Sequence, residues 1–556
     1  MYRVLLFIFL LLFCGSATAQ NVETTWVSWY TGTGNTEEDG YDIDIDSYGN
    51  VYVVGRAIAT YGAWDYSLVT VKIEPDGDTA WTKRFLPFGY QSATGHFIKA
   101  DDSGNVFAIG STQETITFGD VDMVFLKFNS YGATIWFEQI DYGEFDYPTG
   151  MDLDADYIYI TGTTGYGFDQ DLVTTKRPRS GGTPVWSRIY NGSADNEDGA
   201  NDIVVDGNGN VFVAGYLSNS SYNTDIFVIK YEPNGDTGWV YSYASAGGYD
   251  DEARFIALDN TGNVYITGTI GTSVPFASDY ITIKLNSSGV QQWVSTYNGP
   301  SNDDDVPAEI GIDNAGNVYI SGDSRGDDDD NPDFATIKYF PNGDTAWVRR
   351  YNGDDQGFTA SVDQVKDMAV DTVGSIYVTG RSYSDAINAY DLVTIMYNTD
   401  GDEVWRHISG LGGTSYALTC DNAGHVYVTG ASQAPSQTEN TDICTIKLTK
   451  IISAVDEKIS DQLPNGYTLE QNYPNPFNPT TFIEYTVPRR MHVTLTIYNL
   501  LGQEINTLVD EMKSYGTYRA TWDGTDNAGR KVASGIYFYK LQSEDGIQSK
   551  KMIMLK

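Results

Sequence analysis

Apolar and polar residues alternate in short runs along most of the chain, as in "NDIVVD", "NVFVAG", "DIFVIKYE" and "WVYSYA", and Gly, Asn, Asp or Pro bounds the runs. A period of two with turn residues at both ends predicts β-strands joined by tight turns. One phrase recurs with little change: "DNAGNVYISG", ending at Gly322, has counterparts ending at Gly55, Gly110, Gly162, Gly215, Gly268, Gly380 and Gly430. The repeat length is about 54 residues, in the range of radial or solenoid arrays. An Asp opens each turn, at Asp46, Asp101, Asp206, Asp259, Asp313, Asp371 and Asp421, while the shorter third copy uses Asp154. The carboxylate caps the turn, Gly takes the positive φ that follows, and the next residue starts the return strand.

Each repeat carries four strands, a to d in chain order, with the hairpin formed by a and b. Strand c is of the "DYITIK" kind, and strand d begins near a tryptophan: Trp26, Trp81, Trp136, Trp186, Trp239, Trp293, Trp347 and Trp405. The phase is informative. The array opens on an isolated d strand at Trp26 and closes on a c strand around Cys444 that lacks its own Trp, so joining the ends completes an eighth unit. Four-stranded units repeated radially make a β-propeller, whose blades bury both faces against their neighbours. The expectation is an all-β chain with an eight-bladed propeller over residues 20–450, the ring closed by the N-terminal strand.

Beyond a linker at 451–463 the repeat vanishes. Residues 464–556 read as short alternating strands ("TFIEYTV", "HVTLTIYN", "TYRATWDG", "GIYFYKLQ", "SKKMIML") and predict a small immunoglobulin-like β-sandwich. Charge marks the same boundary. The chain carries a formal net charge of −41, yet the tail is close to balance, so the acid belongs to the propeller. A surface that acidic disfavours nucleic acid and makes cations the natural small partners.

The start, "MYRVLLFIFLLLFCGSATAQ", has one Arg, an apolar run and Ala17-Thr18-Ala19, the pattern of a signal peptide over residues 1–19. No other segment is long and apolar enough to be read as a transmembrane helix. Export to the outer-membrane surface or the extracellular space is expected. Cys420 and Cys444 lie on strands a and c, two steps of about 4.8 Å apart, too far for a disulfide, and are expected as free, buried thiols.

Two resemblances add to this reading. With "GNVYVTG"-like and "VTIKY"-like phrases as carriers, the repeats resemble the bacterial β-propeller repeat (SBBP-type) family of large exported proteins, which implies a fold more than a job. The tail, through "YPNPFNPTT", "YNLLGQEI" and "WDGTDNAGRKVASGIYFYKL", resembles the type A sorting domain of the type IX secretion system of Bacteroidota. That resemblance implies a partner, the type IX machinery acting through residues 464–556, and a cargo anchored at the surface or released.

Little in the chain points to catalysis. Its four histidines are His96, His407, His425 and His492, each placed in a repeat strand, a repeat turn or the tail and read as structural; zinc and nucleotide motifs are absent. The b-to-c and d-to-a connections are long and share one face of a meander, so binding loops belong there. Acid gathers in the same places: Glu37, Glu38 and Asp39; Asp195, Glu197 and Asp198; Asp250, Asp251 and Glu252; Asp303, Asp304 and Asp305; Asp354 and Asp355; and "GDDDDNPD" with Asp327, Asp328 and Asp329. Of these, Asp303, Asp304, Asp305, Asp327, Asp328 and Asp329 are the candidate Ca2+ ligands, although no cofactor is required by the reading.

A second acid recurs five residues before the strand c lysine (Asp122, Asp171, Asp225, Asp279, Asp333 and Asp442), and its repetition argues for blade docking. Tyr61, Trp64, Tyr166, Phe168, Tyr222 and Phe276 are loop aromatics suited to stacking on a glycan. The leading reading is a noncatalytic exported propeller that binds an extracellular glycan or protein. The alternative is a carbohydrate-active enzyme, a lyase or glycosidase, using acids on the long-loop face; a purely adhesive surface protein is a third.

Overall fold

The computed structural model describes residues 22–450 and 467–555, together with the backbone of 457–460, apart from short loop segments at 33–35, 59–64, 115–119, 144, 167–168, 195, 220–222, 275–276, 327–330, 354–361, 385–386, 388, 422, 435–439, 490, 514–515, 528–529 and 544–545. The expected signal peptide at 1–19, Asp195, Asp327, Asp328, Asp329, Asp354, Asp355, Tyr61, Trp64, Phe168, Tyr222 and Phe276 lie outside the described residues. The chain divides into two compact units, Met1–Lys450 and Ile451–Lys556.

The first unit is an eight-bladed β-propeller of four-stranded antiparallel sheets, each in the order a-b-c-d. Blade 1 begins with strand a at Glu38–Ile45, and blade 7 ends with strand d at Glu403–Ile408. Blade 8 takes strands a to c from Thr414–Cys420, Val426–Ser432 and Asp442–Lys450, and strand d from Val22–Tyr30. Trp26 pairs with Lys447 and Val27 with Ile446, so the ends of the array close the ring. Strand a of each blade packs against strand a of the next all the way round, which makes it the inner strand.

Two details explain the repeated phrase. The Asp that opens the turn accepts amides from inside the turn and, from strand b, a tyrosine hydroxyl: Tyr319 to Asp313 at 2.9 Å, Tyr52 to Asp46 at 2.8 Å, Tyr159 to Asp154 at 2.6 Å. A buried hydroxyl needs such a partner. The closing glycine faces a β-bulge in strand a, such as the register shift between Gly40 and Asp42. There the strand a carbonyl fills the place a side chain would take: a Cβ on Gly55 would overlap the Asp39 oxygen, one on Gly268 the Glu252 oxygen, and one on Gly430 the Thr414 oxygen. Only glycine permits so close an approach.

The blades are sewn together on the turn side. Lys72 Nζ and Trp81 Nε1 of blade 1 both donate to the Ser130 carbonyl in the c-to-d turn of blade 2. Pro233, Pro341 and Thr399 receive the same pair from Lys176 and Trp186, Lys284 and Trp293, and Lys338 and Trp347. The lysines therefore dock neighbouring blades, as their recurrence predicts. The strand c acids divide: Asp442 of blade 8 bonds Glu38 of blade 1, as expected of blade docking, whereas Asp333 binds Arg350 of its own blade at 2.8 Å, and Asp391 accepts the Ser409 hydroxyl and the Gly410 amide.

The second unit holds two four-stranded sheets around a core centred on Trp522, with Ile483, Tyr485, Leu495, Ile497 and Tyr539 fully buried. The "NPFNP" entry is pinned to it: Phe477 packs on Trp522 with ring centroids 5.6 Å apart, and its amide bonds the Ile553 carbonyl. The strand Glu504–Lys513 was not among those expected from alternation.

Candidate functional site

Strand a presents two layers of side chains toward the axis of the ring. Register places Asp42, Asp202, Glu309 and Asp367 at one level, shared with Phe97 and Phe255, and Asp44, Lys99 and Asp152 at the next. All of these charged groups keep partial solvent access while lying deep in protein, as expected of residues lining a narrow axial opening.

Most of these carboxylates already have a partner in the neighbouring blade. The Ile98 amide donates to Asp42 and the Ala100 amide to Asp44, each at 2.7 Å; Val205 donates to Asp152, Ile256 to Asp202 and Leu418 to Asp367. Each such bond ties the inner strand of one blade to that of the next, using an amide that sheet pairing leaves free. Burial pushes the Asp42 carboxyl up to about 6 and that of Asp202 up to about 7. Glu309 and Asp367 are likewise raised, first by burial; the Asp367 charge adds to the effect on Glu309, and that of Asp42 to the effect on Asp367. Lys99 lies among them. Burial works against its charge, but Asp44, Asp42, Asp152 and Asp202 outweigh it and hold the ammonium above the usual lysine range. The axis is thus a charge cluster in which one cation is shared by acids from several blades.

The long-loop face is organised by a different set of acids. Glu38, Asp198, Asp251 and Asp305, expected as loop residues, are the first residues of strand a and are buried. The loop folds back over them: the Gly192 amide bonds Asp198, Ser245 bonds Asp251, Gly299 bonds Asp305 and Gly353 bonds Asp363. Asp303, Asp304 and Asp305 are consecutive but serve three partners. Asp303 pairs with Arg325 at 2.9 Å, Asp304 accepts from Ser278 at 3.1 Å, and Asp305 holds the loop.

Among the described residues, one trio of carboxylates does converge, and the sequence reading did not group it: Asp120, Asp122 and Asp141, at the meeting of blades 2 and 3. Exposed aromatics of the same rim include Tyr166, stacked on Phe145 with centroids 5.6 Å apart, and Tyr147. A cavity of about 130 Å³ lies between blades 6 and 7, lined by Tyr351, Tyr383, Asp391 and Arg406 among others.

Three of the four histidines contact side chains of the blades. His425 Nδ1 lies 2.7 Å from Asp421, in the position where Asn50 serves Asp46. His96 is held neutral by burial, its pKa lowered to about 4, and touches Ser111 at 2.9 Å. His407 contacts Thr24 at 2.8 Å. Cys420 and Cys444 are both free; Cys444 is buried, but Cys420, near the end of its strand, is only half-buried, which corrects the expectation of two buried thiols.

Comparison with known proteins agrees with this architecture. Residues 347–387 match the model of the β-propeller repeat family, and residues 480–546 that of the FlgD Ig-like domain. No curated protein matches the chain. Among solved structures, the chain is similar to PorZ, a surface component of the type IX secretion system of Porphyromonas gingivalis (13% identity, 92% of this chain and 75% of that one, TM-score 0.32). It is also similar to Sqt1 of Chaetomium thermophilum bound to the N-terminus of ribosomal protein L10 (11% identity, 76% and 99%, TM-score 0.47) and to the polysaccharide lyase Uly1 (9% identity, 76% and 92%, TM-score 0.40). Strand order and family matches together give the architecture: an eight-bladed β-propeller followed by an immunoglobulin-like domain.

Proposed function

We propose that the chain is an exported, noncatalytic binding protein that meets its ligand, a glycan or a protein, on the long-loop rim. Its C-terminal sandwich then acts as a type IX sorting domain. The observation that supports the noncatalytic reading is the engagement of most of the axial and strand a acids in structural bonds: Asp42, Asp202 and Asp367 accept amides of neighbouring blades, and Asp305 and Asp363 accept amides of the loops above them. A glycosidase needs one carboxyl free to give a proton and another free to attack or to activate water.

Delivery is supported by the leader-like start and by the tail motifs, whose "NPFNP" segment is built into the sandwich. Two measurements test the proposal. In a type IX-competent host, the full chain should reach the surface or medium, and a chain ending at Lys450 should stay in the periplasm; equal distribution of the two rejects sorting by the tail. Glycan-array and surface-proteome screens with the full chain should return binding without turnover, and cleavage of any bound polysaccharide rejects the noncatalytic reading.

A further inference from the structure

At the rim between blades 2 and 3, Asp120 stands just ahead of strand c of blade 2 (Val121–Phe128), Asp122 lies within it, and Asp141 follows strand d (Thr134–Ile140). One carboxylate oxygen of each lies within 4.8 Å of those of the other two. Asp122 is 3% exposed. Its Oδ2 accepts the Tyr90 hydroxyl at 2.7 Å and the Gln139 amide, while its Oδ1 has no hydrogen-bond partner among the described residues. Asp120 Oδ1 is buried and equally without one.

Among the described residues, no lysine, arginine or histidine forms an ion pair with Asp120, Asp122 or Asp141. After burial, the influences that raise the Asp120 carboxyl are Asp122, Asp141, Asp146 and Glu114, all acids. The equivalent acid of blade 6, Asp333, has the Arg350 guanidinium, and that of blade 7, Asp391, has a hydroxyl and an amide. An orphaned carboxylate oxygen buried beside two further carboxylates is costly unless a cation joins them. Ca2+ fits this donor set, since it takes six to eight oxygens in flexible geometry and fills the remainder with carbonyls and water.

We propose that Asp120, Asp122 and Asp141 form a Ca2+ site that fastens the rim of blade 2 to blade 3. The neighbouring backbone is placed for this role: the Asp146 amide of the blade 3 approach bonds the carbonyl of Val121, which lies between Asp120 and Asp122, at 2.7 Å.

The test uses the full chain stripped with a chelator, then titrated with CaCl2 by calorimetry and followed by melting. Asp141 is exposed, so Asp141→Asn should fold normally and isolates the ligand role from the packing role. The expected result is binding of Ca2+ with a rise in melting temperature, and an affinity about tenfold or more lower in both Asp141→Asn and Asp122→Asn. A double variant, Asp303→Asn with Asp304→Asn, should leave that binding unchanged. No binding at millimolar Ca2+, binding indifferent to Asp141→Asn, or binding lost only in the 303/304 variant would overturn the proposal.

Discussion

Met396 and Trp405 face each other across strands c and d of blade 7, at the position where the other blades set a lysine opposite the tryptophan. The exception follows from the seam. In blades 1, 3, 5 and 6 the lysine and the indole donate to the c-to-d turn of the next blade, but blade 8 has no such turn, because its strand d comes from the start of the chain. A lysine in blade 7 would have no c-to-d turn carbonyl of blade 8 to reach, and Trp405 Nε1 has no hydrogen-bond partner among the described residues. Trp136 is the other such indole, beside the longer c-to-d connection of blade 3.

Trp347→Phe should therefore destabilise the propeller by about 1 kcal/mol more than Trp405→Phe, since only the first loses a hydrogen bond. Met396→Lys, which buries an unpaired ammonium, should cost about 1–3 kcal/mol. Urea unfolding of the three variants measures both.

Stability should peak at mildly acidic pH. Asp42, Asp202 and Asp323 are held by burial at about 6, 7 and 7, above the unfolded value of 3.8, so the folded form carries extra protons between those limits. Their stabilisation is complete below about pH 4 and is lost as pH rises through 6 to 7. The turn acids act in the opposite sense. Burial opposes ionisation of Asp206 and Asp259, but hydrogen bonds from Asn210, Asn263 and backbone amides outweigh it and lower both, so their stabilisation is lost as pH falls below about 4. Melting temperature against pH should rise to a maximum near 4–6 and decline toward 8, and Asp202→Asn should flatten the alkaline limb.

Lys99→Met should be severe, on the order of 3–5 kcal/mol, because it leaves several half-buried carboxylates without their shared cation. The loss should be largest at pH 8, where those carboxylates are ionised, and smallest near pH 4. An equal loss at both values would show that Lys99 matters only as bulk.

Removing Val22–Tyr30 should expose the edge of strand c in blade 8 along Asp442–Lys450. An unpaired edge recruits other strands. Light scattering should find the shortened chain self-associating while the native chain does not, and a monodisperse monomer would count against the strand as the closing element.

Much of the ring was legible because its signals repeat: the Asp-to-Gly phrase, the lysine and the tryptophan each set the phase of a blade, and the lone Trp26 strand gave away the seam. The axial cluster was harder to see. Asp42, Lys99, Asp202 and Glu309 are single members of different repeats, and only closure brings them together. Glu38, Asp198 and Asp251 read as loop because they sit among other polar residues; their burial is imposed by the loop that folds back over them. Asp141 joins Asp120 and Asp122 from across strand d, a spacing no short motif describes.

The seam also makes the fold depend on both ends of the repeat array. The opening strand, Val22–Tyr30, finds its place only against Asp442–Lys450, so a product cut short anywhere ahead of Asp442 keeps a bare, sticky ribbon at its front. Completed molecules hide that ribbon and truncated ones would display it, so a chain cut ahead of Asp442 should be cleaved faster by added protease than the full chain.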